Sequence, residues 1–213
     1  MSEPSSCRFR CCSFIFSLGL SALFLWLSLR PSKPTFSIES FYVPALNKTA
    51  SADQRRNTTL VFDLLLKNRN KDSGVFYDQL NLTVYHGGNL ALPVANLTIP
   101  AFRQGKKKKA HRVENVTAVG VPWEEARRAA AAAAGGGGGA VFGVGVATAV
   151  RYRIVFWKTM RYRISLAGNV TVNDLGVKST EGGVKLSSSS SSLHMGVVVM
   201  VVLGIFVNSL FSF

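Results

Sequence analysis

The sequence predicts an all-β domain, a seven-stranded antiparallel β-sandwich with one short helix, held between two apolar ends. Three observations lead there. Apolar residues alternate with period two over several stretches, the mark of half-buried strands. Gly, Asn, Asp and Pro separate those stretches. The segments Ser13 to Leu29 and Met195 to Phe213 carry no charged residue, and 165 residues lie between them, about the size of one sandwich domain. A chain of 213 residues has no room for a multidomain enzyme. Segregation also reconciles a formal charge of +14 with a mean hydropathy of +0.21.

The first segment, from Ser13 to Leu29, is near the roughly 20 residues that cross a hydrocarbon slab as helix. A cleaved signal peptide has a shorter apolar core and a small-x-small exit, whereas the exit here is Leu29-Arg30-Pro31-Ser32. The expectation is an uncleaved signal anchor over residues 13–29, behind a cytoplasmic stretch of residues 1–12. Cys7, Cys11 and Cys12, all the cysteines of the chain, sit at that edge as candidate S-palmitoylation sites or as unmodified thiols. The main domain therefore has no disulfide and no thiolate metal site.

Six N-x-S/T sequons, at Asn47, Asn57, Asn81, Asn96, Asn115 and Asn169, exceed the chance expectation of about two. All lie between the apolar ends, so residues 30–186 are expected outside the cell as a glycosylated domain. Six serines from Ser187 to Ser192 then lead into the apolar tail. Small residues, a spacer and a terminal apolar run form a glycosylphosphatidylinositol signal, with Ser187 or Ser188 as acceptor. A second membrane segment over residues 187–213 is the alternative.

Within the domain the expected strands are Phe36–Val43, Thr58–Lys67, Val75–His86, Asn89–Ile99, Ala110–Ala118, Val141–Phe156 and Met160–Val172. The even positions Phe76, Leu80, Leu82 and Val84 are read as inward. The last two strands are expected as a hairpin, Phe156 opposite Tyr162, with Met160, Tyr162, Ile164 and Leu166 inward. That register puts Arg151, Arg153, Arg161 and Arg163 on one exposed surface, with Trp157 opposite Arg161 at cation-π range. Pro122-Trp-Glu-Glu followed by alanines predicts a short helix with loose docking, and Gly135 to Gly139 a flexible return. Lys106, Lys107, Lys108 and Lys109 form a basic run, either a solvated loop or a contact for polyanions.

Four stretches carry a family likeness: Phe41-Tyr-Val-Pro-Ala-Leu-Asn47, Asn68-Arg-Asn-Lys-Asp-Ser-Gly-Val-Phe-Tyr-Asp78, Phe102-Arg-Gln-Gly-Lys-Lys-Lys-Lys109 and Val150-Arg-Tyr-Arg-Ile-Val-Phe-Trp-Lys158. In this order and spacing they resemble the plant non-race-specific disease resistance and harpin-induced-like family, whose outer domain is a late-embryogenesis-abundant group 2 domain. The likeness covers roughly Arg30 to Lys178. It implies an immunoglobulin- or fibronectin-like sandwich, a plasma-membrane location and a role in pathogen-triggered signalling. The family turn is carried here by Asn68, Asn70, Lys71, Asp72, Gly74 and Tyr77, with Arg69 where the family usually has proline, which removes a φ restraint. Read from the residues alone, the segment is first a turn, because Asn, Asp and Gly hydrogen-bond back to the chain.

The sequence has no G-x-S-x-G, H-E-x-x-H or Walker pattern and no cysteine nucleophile in the domain, so no enzyme activity and no cofactor are expected. Expected partners are the membrane, protein partners in immune signalling and acidic wall polysaccharide. Nucleic acid is not expected, despite 22 Lys and Arg against 10 Asp and Glu from Pro31 to Leu186. Wall adhesion without signalling and stress protection with lipid contact remain as alternatives.

Overall fold

The computed structural model describes residues 13–24 and 31–188, apart from 89, 91, 134–137 and 155–156. Cys7, Cys11 and Cys12, residues 25–29 of the expected anchor, Phe156 and the tail from 189 onward lie outside the described residues. Residues 13–24 form a helix, α1. Among the described residues no helix is long and apolar enough to cross a membrane.

Beyond Pro31 the alternating stretches become strands: β1 (Thr35–Tyr42), β2 (Thr59–Lys67), β3 (Ser73–Tyr77), β4 (Leu80–His86), β5 (Leu92–Ile99), β6 (Phe102–Gln104), β7 (Lys109–Thr117), β8 (Ala140–Ile154), β9 (Trp157–Lys158), β10 (Tyr162–Val172) and β11 (Val184–Lys185). All pairs are antiparallel. One sheet has the order β11-β1-β2-β7, and the other has β5-β4-β8-β3-β6 with β9 and β10 also on β8. Among the described residues seven expected strands thus become eleven, because one stretch splits and three short strands join. In the second sheet β3 and β4 lie end to end along one side of β8, and β10 and β9 along the other.

The two sheets face each other over one core. Phe36 of β1 meets Tyr77 of β3 edge-on at 6.0 Å, and Phe41 meets Phe142 of β8 at 5.6 Å. Leu60, Phe62, Leu64 and Leu66 fill the same space from β2 and are fully buried; each contributes about 1.5–3 kcal/mol of transfer free energy. Glu39 interrupts β1 as a bulge between Ile38 and Ser40. It resets the phase so that Phe41 and Val43 also point inward.

The break between β3 and β4 corrects an expectation. Tyr77 pairs with Val150, yet Asn81 pairs with Ala147. Four residues on one strand therefore oppose three on the other, a one-residue bulge at Asp78–Gln79, where the Thr148 hydroxyl donates to both carbonyls at 3.3 Å. The inserted residue flips the phase, so Val75 and Tyr77 are buried and Phe76 faces outward.

The β8–β10 hairpin keeps the expected parity but not the expected register, since Tyr162 pairs with Val150. Trp157 and Lys158 instead fold back onto Ile154 and Arg153 as β9, and the Thr159 amide donates to the Tyr152 carbonyl at 2.8 Å. The crossover leaves Met160 84 % exposed and Tyr162 44 % exposed, against the inward placement expected of both. Trp157 lies across from Ile154, not Arg161.

A short helix, α2 (Ala52–Arg56), follows the 3-10 turn Pro44–Leu46. A second, α3 (Trp123–Ala132), has Glu124 and Glu125 in its first turn, where the helix dipole favours them. Its docking is closer than expected, because Ala126 and Ala130 are fully buried and their small side chains let the backbone approach β8 and the 3-10 turn. Most of the expected glycine return, 135–137, lies outside the described residues.

Candidate interaction surface

Two features of the domain stand apart from its core: a buried polar knot at one end, and an arginine-aromatic surface on the outer face of the larger sheet. The knot begins with sequence-local turn chemistry. Asn68 Oδ1 accepts from the Asn70 amide at 3.0 Å, and Asn70 Nδ2 donates to the same oxygen at 2.9 Å. Asn68 Nδ2 donates to the carbonyls of Ser73 and Gly105, both at 2.9 Å. The second bond joins the turn to a segment 37 residues away. Asn70 reaches back to the start of the domain, accepting from the Ser32 amide at 2.6 Å and donating to the Ser32 carbonyl at 2.8 Å.

Gln104 closes the knot. Its Nε2 donates to the carbonyls of Leu66 and Lys108 at 2.9 Å, and its Oε1 accepts from the Tyr77 hydroxyl at 2.7 Å. Tyr77 is held as the neutral donor, since burial, helped by neighbouring Tyr152, drives its phenol above the ordinary range. Burial likewise pushes Tyr152 up to about 12, with Tyr162 adding to the effect. Asn68, Asn70 and Gln104 are all buried, so their satisfied amides lock the end of the sandwich. Lys71 and Asp72 are exposed, and Gly74 pairs with Arg153 in the β3–β8 ladder.

The knot also positions the basic run. The Lys107 amide donates to the Asn70 carbonyl at 3.1 Å, Lys107 takes a positive φ of 50°, and Lys106 to Lys109 are exposed. In the β2–β7 ladder Lys109 lies directly opposite Lys67, a like-charge pair that an apolar or neutral ladder would avoid.

On the outer face of the larger sheet, Phe76 lies between Arg103 of β6 and Arg151 of β8. Arg103 and Lys158 both sit over its ring, 5.3 Å and 4.7 Å from the centroid. The bulge aims Asp78 outward, where Arg151 Nη2 donates to it at 2.9 Å and Arg161 Nε at 2.5 Å. The Arg151 hydrogen bond, with the charges of both arginines, holds the Asp78 carboxyl below its ordinary range. Arg153 is exposed beside Lys158, whereas Trp157, paired with the buried Ile154, lies on the other face of that ladder and is 58 % exposed. Arg163 is exposed farther along β10, at the wall of a groove of about 500 Å³ shared with Lys33, Pro34, Lys185, Ser187 and Ser188.

Of the sequon asparagines, Asn57, Asn81, Asn96, Asn115 and Asn169 are exposed and Asn47 is half-buried, its amide donating to the Tyr42 hydroxyl at 3.2 Å. Ser187 exchanges backbone bonds with Ala167 at 2.8 and 3.0 Å, and Ser188 is exposed. Sequence reasoning missed Gln104 and Asp78. Gln104 stood inside a family stretch, but nothing local marks a glutamine as the partner of a tyrosine 27 residues earlier. The apolar run Val75-Phe76-Tyr77 fits either strand phase, so it left the bulge at Asp78 unmarked.

A protein of Arabidopsis thaliana, Protein NDR1, is 40 % identical to this chain over 197 residues, covering 89 % of the chain and 86 % of that protein. The chain belongs to the NDR1/HIN1-like family. NDR1/HIN1-like protein 26 of the same plant is 25 % identical over 72 % of the chain and 73 % of its own length. NDR1/HIN1-like protein 1 is 29 % identical over 94 residues. No family model matches the chain. A crystal structure of a protein from Archaeoglobus fulgidus aligns with 68 % of the chain at 10 % identity and a TM-score of 0.31. For an NDR1/HIN1-like chain, the knot gives the resemblance a physical content: Asn68, Asn70 and Tyr77 from one quoted stretch and Gln104 and Gly105 from another hold a single structure.

Proposed function

We propose that this NDR1/HIN1-like chain is a non-enzymatic interaction module of plant defence, anchored in the plasma membrane with its sandwich, of immunoglobulin or fibronectin type, outside the cell. Family membership supports the defence role. The single observation that carries the interaction role is the outer surface built from Phe76, Arg103, Arg151, Arg153, Lys158 and Arg161. Aromatic and Arg side chains are among the types enriched where proteins meet, and a few of them carry most of the binding energy. Asp78 holds two of the arginines in place, so the surface is ordered before any partner arrives and less side-chain entropy is lost on contact. Six sequons between two apolar ends support the external placement.

The test is proximity labelling in intact plant cells from the full chain. The unaltered chain is expected to label one recurring membrane or receptor protein. The double variant Arg103→Glu/Arg153→Glu, which leaves the core and the Asp78 pairs alone, is expected to reduce that labelling about tenfold at equal abundance. Unchanged labelling would show that this face is not the contact.

A further inference from the structure

We infer that the end of the domain carrying Arg69, Lys71, Lys106, Lys107 and Lys108 rests on phosphate-bearing lipid head groups of the membrane that anchors the chain. The inference depends on the anchored reading proposed above and adds an orientation to it.

Both ends of the sandwich leave at that same pole. Thr35 of β1 pairs with Lys67, which pairs with Lys109, so the start of β1, the end of β2 and the start of β7 lie together. Ser32, three residues beyond the apolar segment, is clamped by Asn70. At the other terminus Lys185 pairs with Ser37 and the Leu186 amide bonds the Phe36 carbonyl. The chain therefore runs out past Ser187 toward the same pole, and Ser187, Ser188 and Lys33 line one groove.

Chain length then sets the reach. Three residues beyond Leu29 span at most about 10 Å, so an anchored chain holds Ser32 within roughly one Debye length of the head groups. The turn bonded to Ser32 through Asn70 is the basic one. None of the ion pairs among the described residues includes these five cations, and of the residues between Asn68 and Asp72 or Arg103 and Lys109 only Asp72 is acidic. Polybasic segments this close to a bilayer are attracted to anionic head groups.

The sequons are distributed the other way. Asn57 precedes Thr59, which pairs with Thr117 at the far end of the same ladder, Asn115 pairs with Val61, and Asn169 pairs with Gly143. Asn47 follows β1, and Asn81 and Asn96 sit on the adjoining strands β4 and β5. Glycans on these sites would leave the basic pole bare. A wall polysaccharide would have to reach that pole through the gap beside the membrane, which favours lipid as its occupant.

The experiment reconstitutes the full chain in phosphatidylcholine vesicles with or without added phosphatidylinositol and follows limited trypsin cleavage by mass spectrometry. Cleavage after Lys106, Lys107 and Lys108 is compared with cleavage after Arg55 and Arg56 at the opposite pole. The expected result is about tenfold slower cutting of the basic turn in the acidic vesicles, with unchanged cutting after Arg55 and Arg56 and recovery in high salt. Vesicle-bound protein whose turn is cut equally fast in both would overturn the orientation alone. Protein that does not float with either kind of vesicle would overturn the anchor. Stronger protection of the turn by soluble polygalacturonate over neutral vesicles, at matched charge, would assign the pole to polysaccharide and overturn the lipid assignment.

Discussion

Asn68, 1 % exposed, donates to two backbone carbonyls and accepts from two nitrogens of Asn70. Asn68→Ala would leave the Ser73 and Gly105 carbonyls without this donor inside the knot. The expected loss is about 2–4 kcal/mol, from buried groups left unpaired, measured as a lower denaturation midpoint in urea with an unchanged slope. A loss below about 0.5 kcal/mol, the scale of an ordinary surface change, would show that the knot does not hold this end. Much of the knot could be read from the chain, because Asn, Asp and Gly announce turns through local bonds. Its long-range half could not. Ser32 meets Asn70, and Gln104 meets Tyr77 and Leu66, only after two sheets have closed, and no spacing rule places a glutamine 38 residues from its carbonyl acceptor.

At the scale of the element, alternation located six of the seven expected stretches to within a few residues, ran β3 and β4 together as the seventh, and left the registers open. Period two fixes which residues face inward and the parity of a pairing, not how far one strand slides along another. Parity therefore survived in the β8–β10 hairpin while Tyr162 moved from Phe156 to Val150. Trp157 and Lys158, drawn back onto β8, take up the missing length. The bulge at Asp78 was likewise hidden, since Val75, Phe76 and Tyr77 are all apolar and fit either phase. That bulge gives a pH-dependent prediction. The Asp78 carboxyl, stabilised as the anion by Arg151 and Arg161, titrates below its ordinary value in the folded domain. Its contribution is therefore present above the ordinary carboxylate range and disappears as pH falls through the lowered folded value. The stability gap between the natural chain and Asp78→Asn should be constant from neutral pH to about pH 5 and close below about pH 4. A gap that widens toward acid in urea titrations would contradict the pairing.

Across the whole molecule, the placement of charge and sequons is a property of the fold that the linear order conceals. Arg69, Lys71 and Lys106 to Lys108 are separated in sequence, yet the knot gathers them beside Ser32, while Asn57 and Asn115 sit at the far end of the same sheet. The sequence supplied the class of fold, the apolar ends and the basic run. It could not supply polarity, because that depends on which strand ends share a pole. The central claim is that a membrane holds the sandwich on the outside of the cell. The most direct measurement adds protease to unbroken plant protoplasts making the full chain and follows the domain with an antibody raised against residues 31–186. The account predicts that the domain is digested without permeabilisation and that glycosidase treatment lowers its mass. A domain of unchanged mass that survives until the protoplasts are permeabilised would contradict it.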